Sequence, residues 1–337
     1  MKHSPLGFTT FVDCSPGEPV WNNRLPAEIR DVPERIGIES RVFAPADLTV
    51  DDLAMQVIHR LMGTLHICID DCDGVLLSTT SPHAADIAEE VARVLHVKRD
   101  RVTGVHRSCS GFPAAVAEAR RRFPDAKGHI LIVAAEILSQ ITDFGDRMTG
   151  PLFGDRGAGT SLVRGGAHEV LFAEAEDVFD ENRPIRLANR AATIDRDGNV
   201  IDTVRPCIEM PDARHLAKTA PIVMADLIER ALRESGVDPR ELSAVIPHQA
   251  SGVVLRGLDA ELVRRGFDSV EIVDRFRTSG NTASASVPSA LAQFEADGRL
   301  YPGMIIASPT VGGGPEFADG LLSRGVVLFR AGEPREL

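Results

Sequence analysis

The chain has 337 residues, 43% of them apolar and 26% charged, enough for one large α/β body or two packed units. A net charge of −12 argues against a nucleic-acid or anionic-membrane partner. With no apolar run near the roughly 18 residues of a membrane span and no signal-peptide core at the start, a cytoplasmic enzyme-sized protein without a membrane partner is expected.

The stretch to about Pro45 is rich in Pro, Asn and charge and predicts short strands and loops running over a surface. From Leu48 the pattern turns regular. Leu53, Val57, Ile58, Leu61 and Met62 recur at helical spacing, Gly74 to Thr80 reads as a buried strand, and Ala84 to Leu95 is helical again. Five cysteines at irregular spacing form no disulfide framework. Cys68 and Cys72 have no second Cys/His pair at ligand spacing nearby, so no metal is expected. Arg107-Ser108-Cys109-Ser110-Gly111-Phe112 follows a strand-like segment and opens a helix that ends in Arg120-Arg121-Arg122. That basic end reads as a solvated helix terminus, with docking of an acidic partner as the alternative. His129 to Ala135 is another short apolar strand, and Gly159 to Val163 closes this half.

After about Gly166 the cycle restarts. A strand is expected around Val170 to Ala175, then a hairpin at Thr193 to Val200, whose acidic residues superficially resemble a calcium loop. Gly198 is misplaced for that pattern and Pro206 stands where its bidentate Glu belongs, so a tight β-turn is the reading. Further on come a helix from about Ala217 to Ser235, a strand at Ala244 to Ile246, a helix from Ser251 to Arg265 and a strand at Ser269 to Val273. A helix from Ser286 to Asp297 and strands at Gly303 to Ala307 and Gly325 to Phe329 complete the succession. Two rounds of alternating strands and helices predict a mixed sheet covered by helices and duplicated, with halves at 1–165 and 166–337.

Cys109 sits where the unpaired N–H groups and positive end of a helix dipole would lower its pKa and make the sulfur nucleophilic. The bland alternative is a buried cysteine packed as a small hydrophobe. Three later motifs stand at strand-to-loop junctions, where active-site residues are usually presented. Pro247-His248-Gln249-Ala250 offers an imidazole, Ser279-Gly280-Asn281-Thr282 an amide, and Gly312-Gly313-Gly314 a backbone that lets N–H groups approach a ligand.

In this order, with Phe153-Gly154-Asp155 before Gly157-Ala158-Gly159, these motifs resemble the ketoacyl-acyl-carrier-protein synthase III family of the thiolase superfamily, from roughly Asp51 to the C-terminus. The resemblance implies a five-layered αβαβα duplication with mixed sheets and a homodimer. It implies an acyltransferase in which Cys109 takes an acyl group from a thioester, with the N–H groups of Cys109 and Gly313 as oxyanion donors. His248 and Asn281 would then stabilise the enolate left when a malonyl-type thioester loses CO2. No permanently bound cofactor is implied; the substrates are thioesters of coenzyme A or of acyl carrier protein, and Arg35 and Arg147 match positions that bind the nucleotide end of coenzyme A. For Phe153-Gly154-Asp155 a tight structural turn is the preferred reading.

Several surfaces depart from the family pattern. Asp31 replaces a Trp that stacks on adenine, Ser251 and Val253 replace an Asn and an Arg, and Val311 and Pro315 replace aromatics beside the triple glycine. The segment Ser81 to Ala85 is short and lacks a Phe that bounds the acyl pocket across the dimer. These changes favour a specialised role in polyketide or other secondary-metabolite synthesis over initiation of fatty-acid synthesis. Acyl transfer from Cys109 to an oxygen or nitrogen acceptor, thioester hydrolysis, and a non-catalytic partner subunit stay open as alternatives. A cysteine protease is disfavoured, because the glycine-rich and Asn-Thr-Ala-Ser loops have no use there.

Overall fold

The computed structural model describes residues 4–315, 318 and 320–333, and its element order repeats. The first half runs β1 (Leu6–Cys14), α1 (Val50–Leu65), β2 (Cys72–Ser78), α2 (Ala84–Val94), β3 (Val102–Val105), α3 (Gly111–Arg122), β4 (His129–Glu136) and β5 (Arg156–Arg164). After a turn at 165–167 the same succession returns. It comprises β6 (His168–Phe179), α4 (Ala213–Ser235), β7 (Leu242–Val245), α5 (Gly252–Arg264), β8 (Glu271–Ile272), α6 (Ser286–Ala296), β9 (Ile305–Gly313) and β10 (Leu321–Arg330).

The ten strands lie in the order β8-β7-β9-β10-β6-β1-β5-β4-β2-β3. Counted outward from the β1/β6 seam, each half reads first, fifth, fourth, second, third. The strand directions agree as well: β2 is parallel to β3 and β4, as β7 is to β8 and β9. In turn β5 is antiparallel to β1 and β4, as β10 is to β6 and β9. The seam itself is thin, pairing only Gly7 with Glu169 and Phe8 with His168.

Period-two alternation along the buried strands divides their side chains between separate cores. Val75, Leu77, Leu131 and Val133 pack with α1 and α2, whereas Leu76, Ile130 and Ile132 face the opposite way and pack with α3 and α6. In the second half Ile306, Val327 and Phe329 join that same α3/α6 core, while Ile305, Ala307, Val326 and Leu328 pack with α4 and α5. Three cores between helices and sheet halves make five layers, αβαβα, with α3 and α6 in the middle.

The N-terminal stretch departs from the expectation of a surface strand. β1 is the central seam strand, because Leu6, Phe8, Phe11 and Val12 are all buried and its backbone pairs on both sides. Prolines and charges confined to the later loop had masked it. The helix expected from Ala217 begins at Ala213, where the Asp212 carboxylate accepts from the His215 N–H at 2.9 Å, and it continues through Pro221. At Thr193–Ile194 and Val200–Ile201 a short hairpin forms, with the Asp195 carboxylate accepting from the N–H groups of Asp197 and Asn199. Among the described residues no helix is long and apolar enough to cross a membrane.

Phe8 ties the seam to the middle core. Its ring is fully buried, edge-on to Phe329 at 5.4 Å and stacked on Phe112 at 6.0 Å. Truncating a buried Phe removes transfer free energy and leaves a cavity. Phe8→Ala is expected to destabilise the fold by about 3–5 kcal/mol, read from denaturant unfolding; a loss below about 1 kcal/mol would contradict this role for Phe8.

Candidate active site

Two turns meet where α3 and α6 begin. Ser108–Ser110 leads into α3 and Ala283–Ala285 leads into α6, and their first residues, Ser108 and Ala283, have positive φ of 40° and 42°. Such a conformation is unfavourable for a residue with a Cβ and persists only where the surroundings enforce it. Here each turn is wedged against the other: a Cβ on Gly111 would lie 3.0 Å from Ser284 Cβ and 1.7 Å from Ser78 Oγ. By position in the repeat, Cys109 and Ser284 are counterparts.

They are used differently. Ser284 donates from its backbone N–H and its hydroxyl to the Glu136 carboxylate at the end of β4, and Thr80 donates from N and Oγ1 at 2.9 and 3.1 Å. Cys109 instead faces a cavity. The N–H groups of Gly313 and of Cys109 itself point at its sulfur, and Gly312 lies so close that a Cβ there would sit 2.6 Å from Sγ.

Burial pushes the Cys109 thiol up to about 12, helped by the nearby Glu136 carboxylate and opposed by the two N–H groups. This corrects the expectation of a lowered pKa. The helix terminus is present, but the loss of water around the sulfur outweighs it. Burial also pushes the Glu136 carboxyl up to about 7.

His248 follows β7 and its N–H donates to the Pro309 carbonyl at 2.9 Å, extending the sheet pairing. Burial pushes its imidazole down to about 3, so the ring is neutral at physiological pH. Nδ1 lies 2.8 Å from Ser286 Oγ, and the Gln249 N–H donates to that same hydroxyl at 3.5 Å. With one lone pair of Ser286 Oγ taken by Gln249, the arrangement in which Ser286 donates its hydroxyl proton to Nδ1 puts the imidazole proton on Nε2, the tautomer that can donate into the cavity. Gln249 fixes the loop: its Nε2 donates to the Pro247 and Val273 carbonyls, and its Oε1 accepts from the N–H groups of Arg275 and Phe276.

Asn281 is clamped through its backbone. Its N–H donates to the Leu152 carbonyl, and its carbonyl accepts from the Gly154 N–H, both at 3.0 Å. Oδ1 accepts from the Ala283 N–H at 2.9 Å, and Nδ2 lies 3.4 Å from the Ala250 carbonyl. The amide is thereby oriented with its donor end toward Ala250, at the cavity. Phe153-Gly154-Asp155 acts as the turn that carries this clamp: Asp155 is buried and accepts from the Ala44 N–H and from the N–H and hydroxyl of Ser139. Burial raises its carboxyl to about 6.

The cavity holds about 310 Å³. Cys109, His248, Asn281 and Gly312 line its inner end, and Leu138, Phe153, Ile185, Ile208, Leu216 and Ala220 line its walls. Arg35, Arg147, Met148, Arg214 and Val253 line it toward solvent. The site thus gathers the three side chains expected from the sequence at one end of an apolar channel and puts the two expected arginines at the other. Sequence reasoning missed Ser286 and Glu136. Glu136 carried a signal, a carboxylate closing a fully apolar strand; Ser286 carried none, one serine among several small residues.

A duplicated five-layer fold with a buried cysteine at a helix terminus defines the thiolase class of acyltransferases. Residues 104–176 match the family model described as 3-Oxoacyl-[acyl-carrier-protein (ACP)] synthase III, and residues 232–323 match its C-terminal model. The chain is 29% identical over 301 residues to the beta-ketoacyl-[acyl-carrier-protein] synthase III of Granulibacter bethesdensis, covering 86% of this chain and 88% of that protein. Its fold is similar to that of the Thermus thermophilus synthase III, with a TM-score of 0.75 at 25% identity, covering 98% of this chain and 100% of the other. It is similar too to the priming ketosynthase of the R1128 polyketide pathway, with a TM-score of 0.77 at 22% identity and 98% of each chain covered. The chain belongs to the 3-oxoacyl-acyl-carrier-protein synthase III family and is a condensing acyltransferase of that type.

Two outcomes follow from the site's electrostatics. A thiol raised to about 12 exposes its thiolate in proportion to hydroxide, so alkylation of Cys109 by iodoacetamide is expected to accelerate about tenfold per pH unit from pH 7 to 10. A plateau below pH 8.5 would mean an activated resting thiolate. In ¹⁵N-resolved NMR, His248 is expected as the neutral Nε2–H tautomer at pH 7, and Ser286→Ala should shift it toward a mixture of tautomers; an unchanged spectrum would exclude control by Ser286.

Proposed function

We propose that the chain makes carbon–carbon bonds by decarboxylative Claisen condensation on an acyl group carried by Cys109. The observation that carries this reading is the convergence of Cys109, His248 and Asn281 at the inner end of one apolar channel, with two N–H groups at the sulfur. An acyl thioester enters along the channel, and the sulfur of Cys109 attacks its carbonyl carbon. The oxyanion forms between the N–H groups of Cys109 and Gly313. As the intermediate collapses the carbon–sulfur bond to the carrier breaks, and the thiol proton leaves with the departing thiol.

A malonyl-type thioester then occupies the same channel. Its carboxylate departs as CO2, and the released electron pair moves onto the thioester oxygen as an enolate. Neutral His248 donates from Nε2–H and Asn281 from Nδ2–H to that oxygen. Neither removes a proton, and neither carries a positive charge that must be neutralised. The enolate carbon attacks the acyl carbonyl, Cys109 departs as thiolate and takes a proton from water, and a β-ketoacyl thioester leaves.

The reading includes a homodimer working in the cytoplasm with acyl-CoA or acyl-carrier-protein donors, in polyketide or related secondary metabolism. The departures at Asp31, Val253 and Ser81 to Ala85 support a specialised substrate.

Intact-mass measurement tests the proposal. Incubation with a panel of acyl thioesters is expected to add one acyl mass, and Cys109→Ala to abolish it. Asn281→Ala should still gain the acyl mass but lose about 10²-fold in CO2 release from malonyl thioester, the effect of removing one donor worth about 3 kcal/mol. An acyl adduct discharged to an alcohol, an amine or water, with no CO2 released, would replace condensation by heteroatom transfer or hydrolysis.

A further inference from the structure

The outer end of the channel carries three arginines, Arg35, Arg147 and Arg214, and one carboxylate holds the first two. Arg147 Nη2 reaches the two Asp31 oxygens at 2.9 and 2.8 Å, and its Nη1 donates to the Glu28 carbonyl. Arg35 Nη2 lies 3.7 Å from the same Asp31 carboxylate. Asp31 immediately precedes the turn Pro33–Ile36 that presents Arg35, so this arrangement is built into a short stretch of backbone. The Arg147 guanidinium holds the Asp31 carboxyl below its usual range, and the negative charge persists at neutral pH.

Thioester donors come in two forms that share a phosphopantetheine arm. Coenzyme A extends that arm with a diphosphate and a phosphorylated adenosine; a carrier protein extends it with a protein surface. The arm occupies the channel, so the two forms differ only in what meets the outer end. A nucleotide phosphate arriving there must displace Asp31 from Arg147 and then lie beside a like charge. Its adenine finds no platform either. The aromatic rings lining the cavity among the described residues are those of Phe153 and His248, and both are buried. Beside the arginines the outer end presents Met148 and Val253, both substantially exposed, apolar side chains of the kind a protein surface covers.

We infer that Asp31 withholds Arg35 and Arg147 from nucleotide phosphates, so that this enzyme recognises donors chiefly by the phosphopantetheine arm, as presented on a carrier protein, and gains little from the nucleotide of coenzyme A. The inference rests on the proposed acyl transfer to Cys109, and it assigns the donor class that reading leaves open. Exposed ion pairs are individually weak, so the expected effect is a change in preference and not an all-or-none block.

The test compares one acyl group on coenzyme A and on 4′-phosphopantetheine, following acylation of Cys109 by intact mass. In the wild-type chain the two donors should have kcat/KM values within threefold of each other, and Asp31→Asn should raise the ratio in favour of coenzyme A at least fivefold. A wild-type preference for coenzyme A above threefold, or a ratio that Asp31→Asn leaves within twofold, would overturn the inference. Calorimetry with coenzyme A and 4′-phosphopantetheine themselves, on Cys109→Ala with and without Asp31→Asn, measures the same ratio in binding. That arm decides the inference even where no thioester acylates Cys109, an outcome that would sink the proposed acyl transfer by itself.

Discussion

The structure depends on two helix N-termini buried against each other in the middle layer. Each of α3 and α6 begins with unpaired N–H groups that water cannot reach, and such groups are expensive to leave unsatisfied. The duplicated fold answers the problem twice and differently. At α6 the Glu136 carboxylate fills the role, accepting from the Ser284 N–H and hydroxyl. At α3 no carboxylate among the described residues does this; the Cys109 and Gly313 N–H groups turn toward the sulfur and the cavity. The half-satisfied terminus is the one that has chemistry to do, because donors without a protein acceptor are available to an oxyanion. Positive φ at Ser108 and Ala283 is the backbone consequence of forcing both turns into the same small volume.

Much of this was legible in the sequence, and for identifiable reasons. Fully apolar runs such as His129 to Ala135 mark strands buried on both faces, and their repetition betrays the duplication. Cys109, His248 and Asn281 each end a buried strand or open a helix, so local pattern placed them at the right junctions. β1 was misread because its alternation is blurred: Thr9 and Thr10 interrupt the apolar run, and the polar loop that follows dominates the composition of the first forty-five residues. Ser286 and Gln249 were beyond reach. Their importance is relational, one fixing a tautomer and the other a loop through partners over twenty residues away, and no single-position pattern encodes such partners.

The thiol's ionisation was misjudged for the same reason. A helix dipole is a local feature that sequence reveals, whereas the desolvation that opposes it comes from side chains of both halves. The dipole contributes typically about 0.3–1 kcal/mol, less than the 1.36 kcal/mol of one pKa unit, and burial here shifts the thiol from 9.0 to about 12. Burial therefore decides the resting state.

That same burial acts on His248 with opposite sign on the titration scale and the same chemical result. Removing water disfavours whichever form is charged, so the thiol is held protonated and the imidazole deprotonated. Cys109 and His248 therefore rest as neutral neighbours and not as the thiolate–imidazolium pair of a cysteine protease, in which the histidine must hold the proton. A neutral imidazole with its proton on Nε2 is a donor, which is what an enolate oxygen requires. The channel makes one further demand, that charge appear only when a carbonyl is in place to receive it. A neutral thiol with no free cation among the described residues at the inner end has little tendency to react with adventitious electrophiles, and the N–H groups of Cys109 and Gly313 become useful at the moment a thioester oxygen reaches them.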